Sequence, residues 1–486
     1  MLKGVSYYVA HGVIMEEQPG PSGETAKLAP KSKALWIAIA VIVVIIVVVV
    51  AAALGGLFAP AGKPALRIGT LLSLTGGLDD YGPGNTKGAQ LAVEQINAAG
   101  GVLGQPIQLF SEDDQTQRDA AAAGATKLIT TNRVNAIIGA QFSGGTIAAL
   151  SFTKDAGVPM VSPSATSPAL SDLNLTGGWF FRTTPNDNLQ GVVAADYLYK
   201  NLSLRYVNIM ARNDAYGTGL AGVVKARFVA LGGTVNKTEI IPLGQLDYTS
   251  NVASVFSPSP QAVYFIAFTD EGYIVMKNWH DGLGANPSWD KKWVFAEGLK
   301  SQVFIDQIHG APVNVDVTAI QGTNPVTGFG SVYASFAAQY KARFFNQTPV
   351  LYTDNAYDAA YVIALAAQKA GAVDGASIKR EIHNINSLTG TVIKPGEWSK
   401  ALTELAAGRA INWEGAAGSE NFDANGDVTG PYEIWGVNST FQLYRVAFIP
   451  ESIIGQPSPP SPRAVEASPL NGFLIKVQAI VYSRWD

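Results

Sequence analysis

The chain contains no cysteine. Disulfides, thiolate metal sites, cysteine nucleophiles and a lipid-modified cysteine anchor are therefore excluded. Histidine is scarce, with only His11, His280, His309 and His383. None has the spacing of a metal site, and none accompanies a G-x-S-x-G turn. Charge is sparse too. Charged residues make up 15% of the chain, against about a quarter in ordinary soluble domains. A formal net charge of -4 leaves no basic footprint for nucleic acid.

What is present is apolar sequence. Of 486 residues, 47% are hydrophobic, enough for two or three folded units. One stretch, Ala34 to Phe58 (ALWIAIAVIVVIIVVVVAAALGGLF), carries no charge. A bilayer core needs about 20 apolar residues of helix, so 34–58 is expected to be a transmembrane anchor. The alternative is a signal peptide cut after Ala59-Pro60-Ala61, an A-x-A pattern. Lys27, Lys31 and Lys33 precede the run, and Lys63 and Arg67 follow it. This balance favours a cytoplasmic N-terminus and an exported body. Residues 1–33 read as a disordered cytoplasmic tail rich in turn formers. Five N-x-S/T sequons, at Asn174, Asn201, Asn236, Asn346 and Asn438, agree with export.

From Ala65 onward strand and helix patterns alternate. Strands are expected at 66–72, 107–110, 136–139 and 158–162, with helices at 86–99, 118–131 and 146–156 between them. The alternation restarts with strands at 206–211, 234–241, 262–268 and 292–295 and helices at 217–231, 251–256 and 272–280. Such alternation means parallel sheets with crossover helices. Two successive doubly wound units imply two lobes, with ligands beyond the carboxyl ends of the strands. Gln456 to Arg463 (QPSPPSPR) is a stiff linker, and 456–486 is a linker and C-terminal tail of unassigned role.

Two motifs are best read as structural. Gly217-Thr218-Gly219-Leu220-Ala221-Gly222 matches G-x-G-x-x-G, but lies several residues beyond its strand; a dinucleotide fingerprint turns directly from strand to helix. Asp423-Ala424-Asn425-Gly426-Asp427 resembles the start of a calcium loop, yet its sixth and twelfth positions hold Val428 and Ile434. An Asn-Gly turn accounts for it. No cofactor or metal is expected.

The informative residues lie at strand ends. Ser143 follows the third strand, and Ser164 and Thr166 follow the fourth. Hydroxyl and amide donors at a helix N-terminus suit a carboxylate, although such residues also serve as helix caps. Glu297 ends the last strand of the second unit, where a carboxylate suits an ammonium ion or remains a solvated loop charge.

These segments together resemble the branched-chain amino-acid-binding proteins, such as the leucine/isoleucine/valine-binding protein of bacterial ABC importers. The likeness spans about Leu66 to Tyr444. It rests on Leu74-Thr75-Gly76 with Tyr81-Gly82, the run from Gly88 to Gly101, Asp113-Asp114, Gly157-Val158-Pro159 and Ser164-Ala165-Thr166. It continues through Phe181-Arg182-Thr183-Thr184, Tyr216-Gly217, Glu297-Gly298, Tyr357-Asp358-Ala359 and Phe422-Asp423. The resemblance implies an α/β chain of two doubly wound Rossmann-like lobes joined by a three-crossing hinge, the type I periplasmic-binding-protein fold. It places one lobe at 65–184 with 326–430 and the other at 185–325 with 431–450. Ser143 and the stretch Ser164, Ala165 and Thr166 fall where the family binds a ligand's α-carboxylate and part of its amine. Glu297 falls where the family holds the α-ammonium. Tyr81, Tyr216, Phe268 and Tyr352 fall where rings close around the ligand. Ser164 and Phe268 depart from the family's common residues, and relatives bind amides, urea or aromatic acids.

The expected function is extracytoplasmic capture of an amino acid for the permease subunits of an ABC importer. A ligand-sensing receptor ectodomain is the alternative, and the short tail 1–33 argues against it. An extracellular hydrolase is disfavoured because no nucleophile constellation stands out.

Overall fold

The computed structural model describes residues 63–326 and 328–456. The expected tail 1–33, the expected span 34–58 and residues 457–486 lie outside the described residues. Among the described residues, no helix is long and apolar enough to cross a membrane.

Short apolar runs bounded by glycine and polar turns form the first sheet. Its strands are β1 (Arg67–Leu72), β2 (Gln108–Asp113), β3 (Ala136–Gly139), β4 (Met160–Ser162) and β5 (Phe180–Arg182). They are all parallel, in the order β2-β1-β3-β4-β5. The crossover helices are α1 (Gly82–Ala98), α2 (Arg118–Thr130) and α3 (Ser143–Asp155). Alternation along each strand splits the core in two. Leu71, Ile137 and Met160 pack with Ala125 and Leu128 of α2 and Ala149 and Leu150 of α3. Ile68, Ile138 and Val161 pack on the other face with Ala89, Ala92 and Ile96 of α1.

The chain then enters α4 (Asp187–Asp196) and builds a second sheet around the same winding. β6 (Tyr206–Arg212), α5 (Ala215–Ala230), β7 (Thr234–Ile241), α6 (Thr249–Val255), β8 (Ala262–Ile266), α7 (Thr269–Gly282), β9 (Lys292–Phe295), α8 (Gln302–His309) and β10 (Gln321–Pro325) follow in order. The sheet order is β14-β13-β10-β9-β8-β6-β7, with β13 (Tyr432–Val437) and β14 (Leu443–Ile449) antiparallel at one edge. In both sheets the strand order reverses beside the first strand, which opens a crevice at the carboxyl ends of β1 and β3 and of β6 and β8.

Between β10 and β13 the chain returns to the first sheet. α9 (Gly330–Arg343) and α10 (Thr353–Ala370) pack against it, and a two-stranded sheet pairs β11 (Thr391–Ile393) with β12 (Ile411–Trp413). Helix α10 is buried from Thr353 to Ala367 and fills the same core as α1. The chain thus passes three times between the sheets, and the three passages touch. Pro185 pairs with Val428, the Val326 N–H donates to the Pro431 carbonyl at 3.0 Å, and the Tyr432 hydroxyl donates to the Asn186 carbonyl at 2.8 Å.

One ion pair ties β5 to the third passage. Arg182 is fully buried and bonds Asp427 at 2.6 Å. Its remaining donors reach the carbonyls of Ala165 (3.0 Å) and Ser167 (2.9 Å) and the Ser171 hydroxyl (2.7 Å). Asp427 also accepts from Asn186 at 2.9 Å. The Asn425-Gly426 turn presents Asp427, and Gly426 has φ +82°; a Cβ there would lie 2.4 Å from the Phe180 carbonyl oxygen. The turn read from 423–427 is therefore a structural latch on Arg182.

Truncating Asp427 to alanine leaves a buried guanidinium without its counter-charge, which costs about 3–5 kcal/mol. The double variant Arg182→Met/Asp427→Ala is expected to lose less than the sum of the two single changes. Denaturant unfolding midpoints of the four proteins check this; strict additivity would refute the pairing.

Candidate functional site

The carboxyl ends of six strands, three from each sheet, converge on one cavity. Its lining includes Tyr81, Ser143, Ser164, Thr166, Tyr216, Phe268, Glu297 and Tyr352. The structure thus brings together eight of the nine residues singled out from the sequence. The ninth, Ala165, lies outside the lining. Its N–H donates to the Ser162 hydroxyl at 3.0 Å, and its carbonyl accepts from Arg182.

The wall from the first sheet offers donors. Ser143 is the first residue of α3, and the residue before it, Phe142, gives the helix no side-chain cap. The first-turn N–H groups and the positive end of the helix dipole therefore remain available to an anion. The capping alternative for Ser143 does not hold: its hydroxyl oxygen instead accepts the Ser167 N–H at 3.1 Å, which leaves its hydrogen to donate. The Ser164 hydroxyl donates to the Gln141 carbonyl at 2.6 Å. Behind them Asp114, the second acid of the Asp113-Asp114 pair, accepts from Ser73 and from the Gln141 N–H. Asp113 accepts from the Leu74 N–H at 2.9 Å. The acidic pair thus pins both the loop that leads to Tyr81 and the turn before α3.

The wall from the second sheet offers an acceptor. Glu297 follows β9 and is 4% exposed. No other lining residue carries a carboxylate, and none carries a cation. Burial pushes the Glu297 carboxyl up to about 7, while the hydrogen bond from Gln190 pulls it down.

Aromatic side chains form the sleeve between the walls. Phe268 stacks on Tyr216 with ring centroids 5.4 Å apart, and the Arg212 guanidinium covers its other face at 3.5 Å. Arg212 is itself held by Asp214 at 2.7 Å and by Glu271. Asp214 caps α5 by accepting the Gly217 N–H at 2.8 Å, and a Cβ on Gly217 would lie 2.1 Å from the Arg212 carbonyl oxygen. The glycine motif at 217–222 therefore serves a tight helix start. Tyr352 enters from the segment before α10 with φ +69°, an uncommon conformation for a side chain of its size. Among the described residues, the Tyr352 hydroxyl and the Gln141 side-chain oxygen are buried without a hydrogen-bond partner.

The sequence reading missed several groups. Leu78, Gln141, Phe142, Gly298 and Leu351 also line the cavity. Gln141 and Phe142 stand beside Ser143, so their place in the turn before α3 was a signal. Leu78 and Leu351 are ordinary apolar loop residues that gave none. Gln190 and Asp187, on the first turn of α4, lie behind Glu297 and Thr166. Gln190 bonds Glu297, and the Asp187 N–H donates to the Thr166 carbonyl at 2.9 Å. The described histidines with ring contacts pack against neighbours: His309 stacks on Phe441 at 3.7 Å and His383 meets Phe181 edge-on at 5.3 Å.

The cavity therefore has donors at one end, a carboxylate at the other and rings between. Comparison with known proteins gives the family. The family model described as periplasmic binding protein matches residues 65–426. The Leu/Ile/Val-binding protein BraC3 of Rhizobium johnstonii is 31% identical over 320 residues, covering 66% of this chain and 83% of that protein. The chemotactic signal transduction system substrate-binding protein BasB of Halobacterium salinarum is 26% identical over 384 residues, covering 75% of this chain and 84% of that protein. Among solved structures, the branched-chain amino acid transporter substrate binding protein LivJ from Streptococcus pneumoniae, in complex with isoleucine, superposes with a TM-score of 0.64 at 24% identity, covering 80% of this chain and 99% of that one. The fold is the type I periplasmic-binding-protein fold, and the chain belongs to the periplasmic binding protein family.

Proposed function

We propose that the chain captures an amino acid, branched-chain or related, outside the cytoplasm and delivers it to the permease subunits of an ABC importer. The observation that carries this reading is the buried Glu297 carboxyl facing the cavity that the α3 N-terminus also borders. A ligand with both an ammonium and a carboxylate satisfies both ends. Ser143 and Thr166 receive the carboxylate, and Ser164, whose hydroxyl hydrogen goes to the Gln141 carbonyl, offers its oxygen to the amine; the Ala165 backbone sets the loop between Ser164 and Thr166. Tyr81, Tyr216, Phe268 and Tyr352 enclose the side chain. Amides, urea and aromatic acids lack the cation that Glu297 asks for. A thermal-shift panel of amino acids, amides and aromatic acids identifies the best ligand.

Likeness to a chemotactic binding protein favours a second reading, in which the loaded protein is read by a sensor. Capture is the same in both, and co-purification with a permease or with a transducer separates them.

Removing one partner of a buried charge pair costs roughly 2–5 kcal/mol. At about 1.4 kcal/mol per tenfold, Glu297→Gln is expected to weaken amino-acid binding roughly 30-fold to several thousand-fold. Thr166→Val removes a hydroxyl bond to a charged group and costs less, about 1.5–3 kcal/mol. Calorimetry with the best ligand measures both. Undiminished binding by Glu297→Gln would mean that the ligand carries no ammonium.

Ligand groups on two lobes, 65–184 with 326–430 and 185–325 with 431–450, imply closure about the three passages. Small-angle scattering is expected to show a smaller radius of gyration at saturating ligand, and an unchanged radius would argue for a rigid body.

The uncharged run 34–58 supports a single-pass anchor with the binding body on the extracytoplasmic side. Protease applied to intact cells is expected to release the body and spare the tail. N-terminal sequencing that starts at Gly62 would establish a cleaved signal peptide instead.

A further inference from the structure

Gln190 is fully buried on α4, 107 residues from Glu297 in sequence. Its side-chain nitrogen donates to a Glu297 carboxylate oxygen. The same nitrogen lies 3.3 Å from the Thr323 carbonyl and 3.4 Å from the Thr323 hydroxyl on β10. Two acceptors on one side fix which end of the amide is nitrogen. Thr323 is itself held by the Tyr264 hydroxyl at 2.8 Å. The amide is therefore braced from behind and aimed at the carboxyl, yet Gln190 is not part of the cavity lining.

We propose that Gln190 is the positioning residue of this site: its amide, braced by Thr323, holds the Glu297 carboxyl charged and in place for a ligand cation. The inference rests on the reading of Glu297 as the ammonium acceptor. A carboxyl in a dry, ring-lined cavity tends to take up a proton, and a neutral acid forms no ion pair. A donor that bonds the charged form opposes this, as the position of Glu297 near neutrality reflects. The groups facing Glu297 are Asp187 on α4, Tyr216 on α5, Tyr264 on β8, Tyr81, Tyr352 and Tyr432. Burial holds all six tyrosine and aspartate side chains in their neutral forms to higher pH than usual, and Arg182 is the cation that acts on Asp187. Lys300, three residues beyond Glu297, is paired with Glu433.

The sign follows. Removing the amide donor raises the proton affinity of Glu297, so less of it is charged at pH 7. Gln190→Met, similar in length and without a donor, is expected to bind L-leucine roughly 10- to 50-fold more weakly than the parent at pH 7. The deficit is expected to shrink to about threefold at pH 9, where Glu297 is ionised in either protein. Lost packing would weaken binding equally at every pH, and that outcome overturns the proposal. Thr323→Val leaves Gln190 in place but loosens its brace, so a smaller shift in the same direction is expected should Gln190→Met fold poorly. Infrared pH-difference spectra of the full chain without added amino acid give a second readout. The carboxyl band that disappears in Glu297→Gln, and persists in Asp187→Asn, is expected to titrate at higher pH in Gln190→Met. An unmoved midpoint overturns the proposal. A shifted midpoint in a protein that binds no amino acid supports Gln190's hold on Glu297 and refutes the amino-acid reading instead.

Discussion

A buried carboxyl facing an apolar sleeve is the constraint around which the site is arranged. Water would solvate Glu297 at almost no cost; the cavity does so with a few fixed groups. Gln190 supplies a bond from α4, and the positive end of α3 borders the same cavity from the first sheet. The rings need bracing as well. Phe268 is held between Tyr216 and Arg212, and Arg212 is held by two acids, so the closing surface is a stack with a charged backing.

The winding of the sheets makes this possible. A parallel sheet sends all its strands' carboxyl ends, and the N-termini of the following helices, to one side. Using that arrangement twice gives two donor- and acceptor-rich edges from one chain. The three passages between the sheets then need to stay in register, and buried polar contacts do this. Arg182 reads the carbonyls of Ala165 and Ser167 on either side of Thr166 while it pairs with Asp427 in the third passage. The ligand loop and the connecting segments are thus fixed by one guanidinium.

Much of this was legible in the sequence because parallel strands are short apolar runs with clear borders. β3, β7 and β9 were read to the residue. Where the reading slipped, tertiary contacts explain it. α3 starts at Ser143 and not at Thr146, because Gly144 and Gly145 look like breakers; a Cβ on Gly145 would lie 2.5 Å from the Phe142 ring, so packing holds the glycine there. β8 ends at Ile266 and not at Phe268, whose N–H is taken by the Glu271 side chain at 3.0 Å as α7 begins. α10 has no polar face to give it a period, since it is buried on nearly all sides. Glu297 was visible as a charge at a strand end. Gln190 was not, because a neutral amide on a helix carries no meaning until the fold sets it against a carboxyl.

Helix α10 has a consequence for the order of assembly. It fills the core of the first sheet, and its Tyr357 hydroxyl donates at 2.5 Å to Gln95 on α1, 262 positions away in sequence. The second sheet's parallel strands, by contrast, run consecutively from Tyr206 to Pro325. As the chain emerges from the ribosome, the strands β1 to β5 come out first, but the face that α1 covers in part stays open beside it until residues 353–370 arrive. The parallel part of the second sheet is complete by then. The core of the half made first is therefore closed only after the parallel strands of the other half exist, and for that interval its uncovered apolar surface is the one a chaperone would guard.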